Sequence, residues 1–324
     1  MTRLGLALRC QAAPSSLIKV AISAEKAGFD SAWLVEVTEV DVMALAGLLS
    51  QATSKIKIAT GVVNSTLRAP TLLAMGATTV SELSNGRFIL GVGAGRPQVS
   101  QRNPKDTELT RLLETIQILK LCLSGESVQF QGKLYEVSGF KLGLKPSHKI
   151  QIFGAAMGQK MVETVAKVAD GVLLMMPTME YFKKTRETIY SALGRRGIPR
   201  SEFPIGCHFV TSVSLNKDKA ERIAKMSVAT YSTRPSYRKS YVRMGFQDEV
   251  EAIDKAKGQD AWKLVPREMA ERLIIYGTPE GCMKKINEFV KEGVTDPVVY
   301  PCKTGTEFPD NAEETIRLLS PFLQ

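Results

Sequence analysis

The chain has 324 residues, 43 Lys and Arg against 33 Asp and Glu for a formal net charge of +10, and is 44% hydrophobic and 7% aromatic. This is an ordinary composition for a chain with a large packed core. It holds no apolar run of the roughly 20 residues that cross a bilayer, and Met1-Thr2-Arg3-Leu4-Gly5 opens no apolar leader, so no membrane contact and a cytoplasmic location are expected.

In chain order, short apolar runs rich in β-branched residues predict strands at Arg3–Leu8, Ser31–Glu36, Ile56–Thr60 and Arg87–Gly91. Four more follow at Ile150–Phe153, Gly171–Leu174, Ile205–Val213 and Pro297–Tyr300. Runs such as Phe88-Ile89-Leu90 and Val172-Leu173-Leu174 do not alternate, as in parallel strands covered on both faces. Between them lie helical spacings: Leu17, Val20, Ala24 and Ala27, then Leu112, Ile116, Leu119 and Leu123. Thr278-Pro279-Glu280 supplies an N-cap, a first-turn proline and an acid for a helix whose inner face is Met283, Ile286 and Val290.

Eight strands separated by helices predict one (β/α)8 TIM barrel, an α/β fold filling residues 1–324 as a single domain. Two segments exceed the minimal barrel. Residues 128–137 alternate around Gly132 and read as a small inserted hairpin. Residues 216–272 form a long helical insert, too long for a plain connection, which is expected to cover one face of the barrel.

Barrels of this kind bind ligands at the carboxyl ends of their strands. Those exits are Glu36-Val37-Thr38-Glu39, Thr60-Gly61-Val62-Val63-Asn64-Ser65, Gly91-Val92-Gly93-Ala94-Gly95-Arg96 and Gly154-Ala155-Ala156-Met157-Gly158-Gln159-Lys160. The last runs straight into a helix at 161–169, whose free amide groups and positive dipole end suit a phosphate, with Lys160 adding a cation. A tight turn needs small residues for steric reasons too. Gly91 to Arg96 is a poor dinucleotide fingerprint, since Arg stands at its sixth position. Its glycines let the strand turn close to a ligand or neighbouring backbone as readily as they make any specific contact.

Other chemistries find little support. There is no GxSxG motif, and Cys207 and His208, adjacent on one strand, point to opposite faces as core and wall. Five scattered cysteines without a CxxC and only two histidines give no basis for a metal site or a disulfide framework. Lys and Arg are dispersed, which argues against nucleic acid. The densest run, Arg234, Arg238, Lys239 and Arg243 among Tyr231, Tyr237 and Tyr241, reads as a solvated helical face or a seat for an anionic substrate tail.

Several of these segments together resemble the bacterial luciferase-like superfamily: Ala24-Glu25-Lys26-Ala27-Gly28-Phe29-Asp30-Ser31-Ala32-Trp33 with Glu36, Ile58 to Asn64 with Arg68-Ala69-Pro70, and Leu83-Ser84-Asn85-Gly86-Arg87 through Gly95. Ala155 to Lys160, Ala169-Asp170-Gly171 and Tyr276-Gly277-Thr278-Pro279-Glu280 are similar too. The resemblance spans about residues 3–300 and lies nearest the methylenetetrahydromethanopterin reductase branch. It implies an oxidoreductase moving a hydride between coenzyme F420 and a small organic substrate, with a pterin-linked one-carbon unit as a candidate. FMN is the alternative cofactor, for a monooxygenase or reductase, and a non-catalytic flavin-binding barrel is a further alternative.

The resemblance further implies that Gly61-Val62 is a non-prolyl cis peptide pressing on the cofactor ring. Thr60, Gly61, Val62, Val63 and Asn64 would line the ring, Ala155, Ala156, Met157, Gly158, Gln159 and Lys160 would hold the phosphate, and Met175 would pack nearby. Glu36 stands at the family's acidic position, as a catalytic and cofactor-binding candidate. Val37 stands where the deazaflavin alcohol and sugar-phosphate dehydrogenases carry His, and Arg96 where they carry a Glu proton donor. Those two activities are therefore disfavoured, and Arg96 becomes a catalytic candidate that would attract an anionic substrate or the cofactor's acidic tail. A homo-oligomer, dimer or tetramer, is the expected assembly.

Overall fold

The computed structural model describes residues 3–95, 107–256, 260–302 and 308–323. Eight parallel strands form the expected barrel: β1 (Gly5–Arg9), β2 (Ser31–Val35), β3 (Lys57–Thr60), β4 (Phe88–Gly93), β5 (Gln151–Ala155), β6 (Gly171–Met175), β7 (Ile205–Val213) and β8 (Asp296–Pro301). Each pairs with its sequence neighbours, and β8 returns to β1 through Gly5 opposite Val298, so the sheet has no open edge along the barrel. Every predicted strand is present, with ends shifted by at most two residues.

Alternation along the strands divides the core in two. Leu6, Leu8, Leu34, Ile58, Leu90, Ile152 and Cys207 face outward beneath the helices. Ala7, Trp33, Ala59, Ile89, Phe153, Leu173 and Val298 fill the inside. Burial on both faces explains why these strands read as continuous apolar runs: all six residues of β4 are buried.

The helix from Pro279 to Lys291 starts as its sequence predicts, with the Thr278 hydroxyl accepting from the Gly281 amide. Its buried face is Cys282, Met283, Ile286 and Phe289, so Phe289 rather than Val290 completes the stripe. The helix after β5, α5 (Gln159–Val168), starts two residues before 161, with Gly158 as its N-cap. The hairpin pairs Val128–Gln131 with Glu136–Phe140, and the buried Glu114 carboxylate accepts from the amides of Lys133, Leu134 and Tyr135 in its turn.

The long insert folds as four helices, α7 (Lys217–Ser232), α8 (Pro235–Arg243), α9 (Gln247–Ala256) and α10 (Arg267–Leu273). Its Tyr231, Tyr241, Met244, Phe246 and Val250 belong to the same buried cluster as the inner barrel residues Trp33 and Tyr300. The insert therefore packs over the barrel mouth, at the carboxyl ends of the strands. A short strand, Ile275–Gly277, then pairs with the far end of β7.

Candidate functional site

The centre of the mouth is built on the backbone from Thr60 to Asn64. The Gly61–Val62 peptide is cis, as the resemblance implies, and Val63 and Asn64 pair with Val92 and Gly93 of β4. The Thr60 hydroxyl accepts from the Gly91 amide and donates to the Gly91 carbonyl, each at 2.8 Å, while the Gly61 amide donates to the Leu34 carbonyl at 2.7 Å.

Steric crowding accounts for the glycines opposite this segment. A Cβ on Gly91 would lie 2.0 Å from the Thr60 carbonyl oxygen, and one on Gly93 2.4 Å from Val62 Cγ2. One on Gly95, whose φ is +67°, would lie 1.6 Å from Asn64 Oδ1. Gly91 thus faces neighbouring main chain, whereas Gly93 and Gly95 face the side chains of Val62 and Asn64, and all three let the strand pass close to the 60–64 segment.

Glu36 follows β2 and its side chain is only 4% exposed. Both carboxylate oxygens accept from Arg68, at 2.9 and 2.7 Å, and one also accepts from the Asn64 amide at 2.7 Å. Arg68 reaches on to Asp41, which caps the helix α2 (Val42–Ala52) by accepting from the amides of Met43 and Ala44. Burial works against the Arg68 cation, but its bonds to Glu36 and Asp41 outweigh burial and raise its pKa. Asn64 in turn accepts from the Thr66 amide and hydroxyl. Glu36 thus anchors the 60–64 segment.

His208 lies beneath Gly61. A Cβ at Gly61 would come within 2.7 Å of the imidazole Cε1, and the ring meets Trp33 and Tyr300 edge-on at 5.5 and 6.0 Å. Cys207 faces the outer core, as strand alternation requires. Burial lowers the His208 pKa to about 3, so the ring is neutral at pH 7, and its Nε2 finds no hydrogen-bond partner among the described residues. The unfolded chain takes up this proton below about pH 6.5, whereas the native protein does not until about pH 3. Stability is therefore lost as pH falls through that window. Compared with His208→Gln, the native chain should lose up to about 1.4 kcal/mol more per pH unit in urea titrations below pH 6.5; parallel profiles for the two proteins would refute this.

The predicted phosphate loop leaves β5 at Ala155. The buried Ala156 donates its amide to the Leu173 carbonyl, Met157 accepts at its carbonyl from the Tyr181 hydroxyl, and Gln159 bonds with Thr185 and Thr188 through its side chain. The α5 N-terminus has no side-chain cap. Gly158, its N-cap, faces Arg243 of α8: a Cβ there would lie 2.9 Å from Nη1. Lys160 is exposed. Met175 ends β6, partly buried against the inner cluster, in register with His208. Arg96 lies outside the described residues.

Sequence reasoning missed three contributors: Arg68 as partner of Glu36, Arg243 as neighbour of the phosphate loop, and His208 as the floor beneath Gly61. A separate cleft of about 540 Å³, lined by Ala12, Pro14, Glu39 and Leu48 among others, contains none of the predicted site residues.

The profile of the luciferase-like monooxygenases matches residues 1–296. The chain belongs to that family. Within it, the chain is 30% identical over 308 residues to 5,10-methylenetetrahydromethanopterin reductase of Archaeoglobus fulgidus, covering 91% of each chain. The solved F420-dependent tetrahydromethanopterin reductase of Methanopyrus kandleri superposes with a TM-score of 0.83 at 24% identity, over 100% of this chain and 99% of that one. An F420-dependent secondary alcohol dehydrogenase, solved with an F420–acetone adduct, superposes with a TM-score of 0.79 at 19% identity, over 100% and 99%. At these identities the two structures speak for the fold.

Proposed function

We propose that this luciferase-like protein is an oxidoreductase that uses coenzyme F420 and exchanges a hydride with a small organic substrate at the barrel mouth. The observation that carries this reading is the likeness, over 91% of both chains, to a reductase of the methylenetetrahydromethanopterin type. A pterin-linked one-carbon unit is thereby a candidate substrate.

The residues present fit such a cofactor. The start of α5 carries no side-chain cap, so its first amide groups would suit a phosphate, and Arg243 beside Gly158, with Lys160, supplies positive charge. Ala155, Ala156, Met157 and Gln159 complete that loop. Gly61, Val62, Val63 and Asn64 would back the ring, and Met175 would flank it. Thr60 and Glu36 hold this backing in place through Gly91, Asn64 and Arg68. In this reading Glu36 is a positioning residue, not a proton donor, because both its oxygens are committed to Arg68. When bound, F420 supplies or accepts the hydride at C5; the protein orients the partners and excludes water.

Anaerobic titration with F420 and with FMN tests the assignment. Saturable binding of F420, at least tenfold tighter than FMN, is expected. Tighter FMN binding with oxygen-consuming turnover would replace it by the monooxygenase alternative, and F420 binding without any substrate-dependent change in its spectrum by the non-catalytic one.

The same reading includes a homo-oligomer. On α2 and on α3 (Pro70–Leu83), which pack together, Leu48, Leu72, Met75 and Leu83 are 52%, 56%, 50% and 44% exposed, an apolar face suited to a second copy. Light scattering should give at least twice the 35.5 kDa of one chain. Leu72→Glu should return it to one chain; a native mass of 35.5 kDa would contradict the assembly.

A further inference from the structure

Arg9 ends β1 on the inner side of the barrel, following Ala7 in the inward alternation. It is partly buried, and its guanidinium lies over the ring of Tyr300, 5.1 Å from the centroid. Tyr300 touches His208, and His208 touches Gly61, so one chain of contacts joins Arg9 to the centre of the mouth. Arg9 is also opposite Val35 in the β1–β2 register, only two strands from the end of β3.

The surroundings of Arg9 are phenolic. Tyr231 of the insert comes close to it, packed in turn against the tilted ring of Tyr237 at 4.7 Å and covered by Arg234 at 5.2 Å. No carboxylate pairs with Arg9 among the described residues, and Glu36, the nearby acid of the mouth, is taken by Arg68. A guanidinium is always charged, and in a partly buried place its field is weakly screened. Its side chain also hydrogen-bonds Tyr300, and the guanidinium, with five N–H donors, keeps others for a planar two-oxygen acceptor.

We infer that Arg9 is a specificity-determining residue that binds a carboxylate of the substrate at the barrel mouth. This deepens the hydride-transfer reading and rests on it for the word substrate. Phenols of Tyr300 and Tyr231 form the walls of the subsite, and the insert closes it.

Calorimetric titration of the full chain with three acid–amide pairs tests the inference: acetate and acetamide, benzoate and benzamide, succinate and succinamide. At least one acid should bind tenfold or more tightly than its amide. Arg9→Met should abolish that preference while leaving F420 affinity within twofold, and Arg9→Lys should retain part of it, both with native far-ultraviolet spectra. The inference is overturned if no acid is preferred in the native chain, or if the preference survives in Arg9→Met. A tenfold loss of F420 affinity in Arg9→Met would overturn it as well, assigning Arg9 to the cofactor. Acid preference in a native chain that fails to bind F420 would uphold the anion subsite and remove the hydride-transfer reading.

Discussion

Arg68→Met should cost the native chain about 3–5 kcal/mol, the usual consequence of stranding one member of a buried ion pair. The side chains of Glu36 and Arg68 are 4% and 11% exposed, so water cannot replace the lost partner. The cost would fall on the functional segment. Glu36 accepts from the Asn64 amide, and a carboxylate that moves after losing its partner would release the backbone behind the proposed ring site. Arg68→Met with Glu36→Gln should recover much of the loss, because no charge is then left buried. Chemical denaturation of the two single variants and the double variant gives the coupling. Equal losses in single and double variants, or a loss below about 1 kcal/mol, would show that the pair behaves as an exposed one.

The second large effect concerns Gly91. An alanine Cβ would sit 2.0 Å from the Thr60 carbonyl oxygen, and because the obstacle is main chain, no rotamer change relieves it. Gly91→Ala is therefore expected to destabilise by about 3 kcal/mol or more, above the usual range for overpacking a core. It should weaken F420 binding too, since the displaced backbone leads directly into Gly61. Gly194 provides the control. It lies inside the helix Met179–Arg196 with nothing within 4 Å of an added Cβ, so Gly194→Ala should stabilise by about 0.5–1 kcal/mol. Similar melting temperatures for the two variants would contradict the crowding described at the mouth.

Sequence alone reveals the barrel strands because their signal is local. A strand buried on both faces must be apolar throughout, and each of the eight is readable within about six residues. The N-cap at Thr278 and the insert's place between β7 and β8 are legible for the same reason. Partnerships are not. Arg68 is 32 positions from Glu36 and meets it only because adjacent strands bring their exits together. Arg243 reaches Gly158 through the packing of the insert, which no periodicity encodes. Arg9 reads as the charged residue after an apolar strand, and only closure of the sheet through β8 puts Tyr300 beneath it. The glycines from Gly91 to Gly95 are visible but ambiguous: spacing does not say what each one faces, and the fold sets Gly91 against the Thr60 carbonyl and Gly93 and Gly95 against the side chains of Val62 and Asn64.

Diffraction from crystals of the chain soaked with F420 tests the central claim most directly. The deazaflavin ring is expected against Gly61–Val62, above His208, with the phosphate at the amides of Gln159, Lys160 and Met161 and within reach of Arg243. A ring bound elsewhere, such as the cleft beside Leu48, or a phosphate remote from α5 would contradict it.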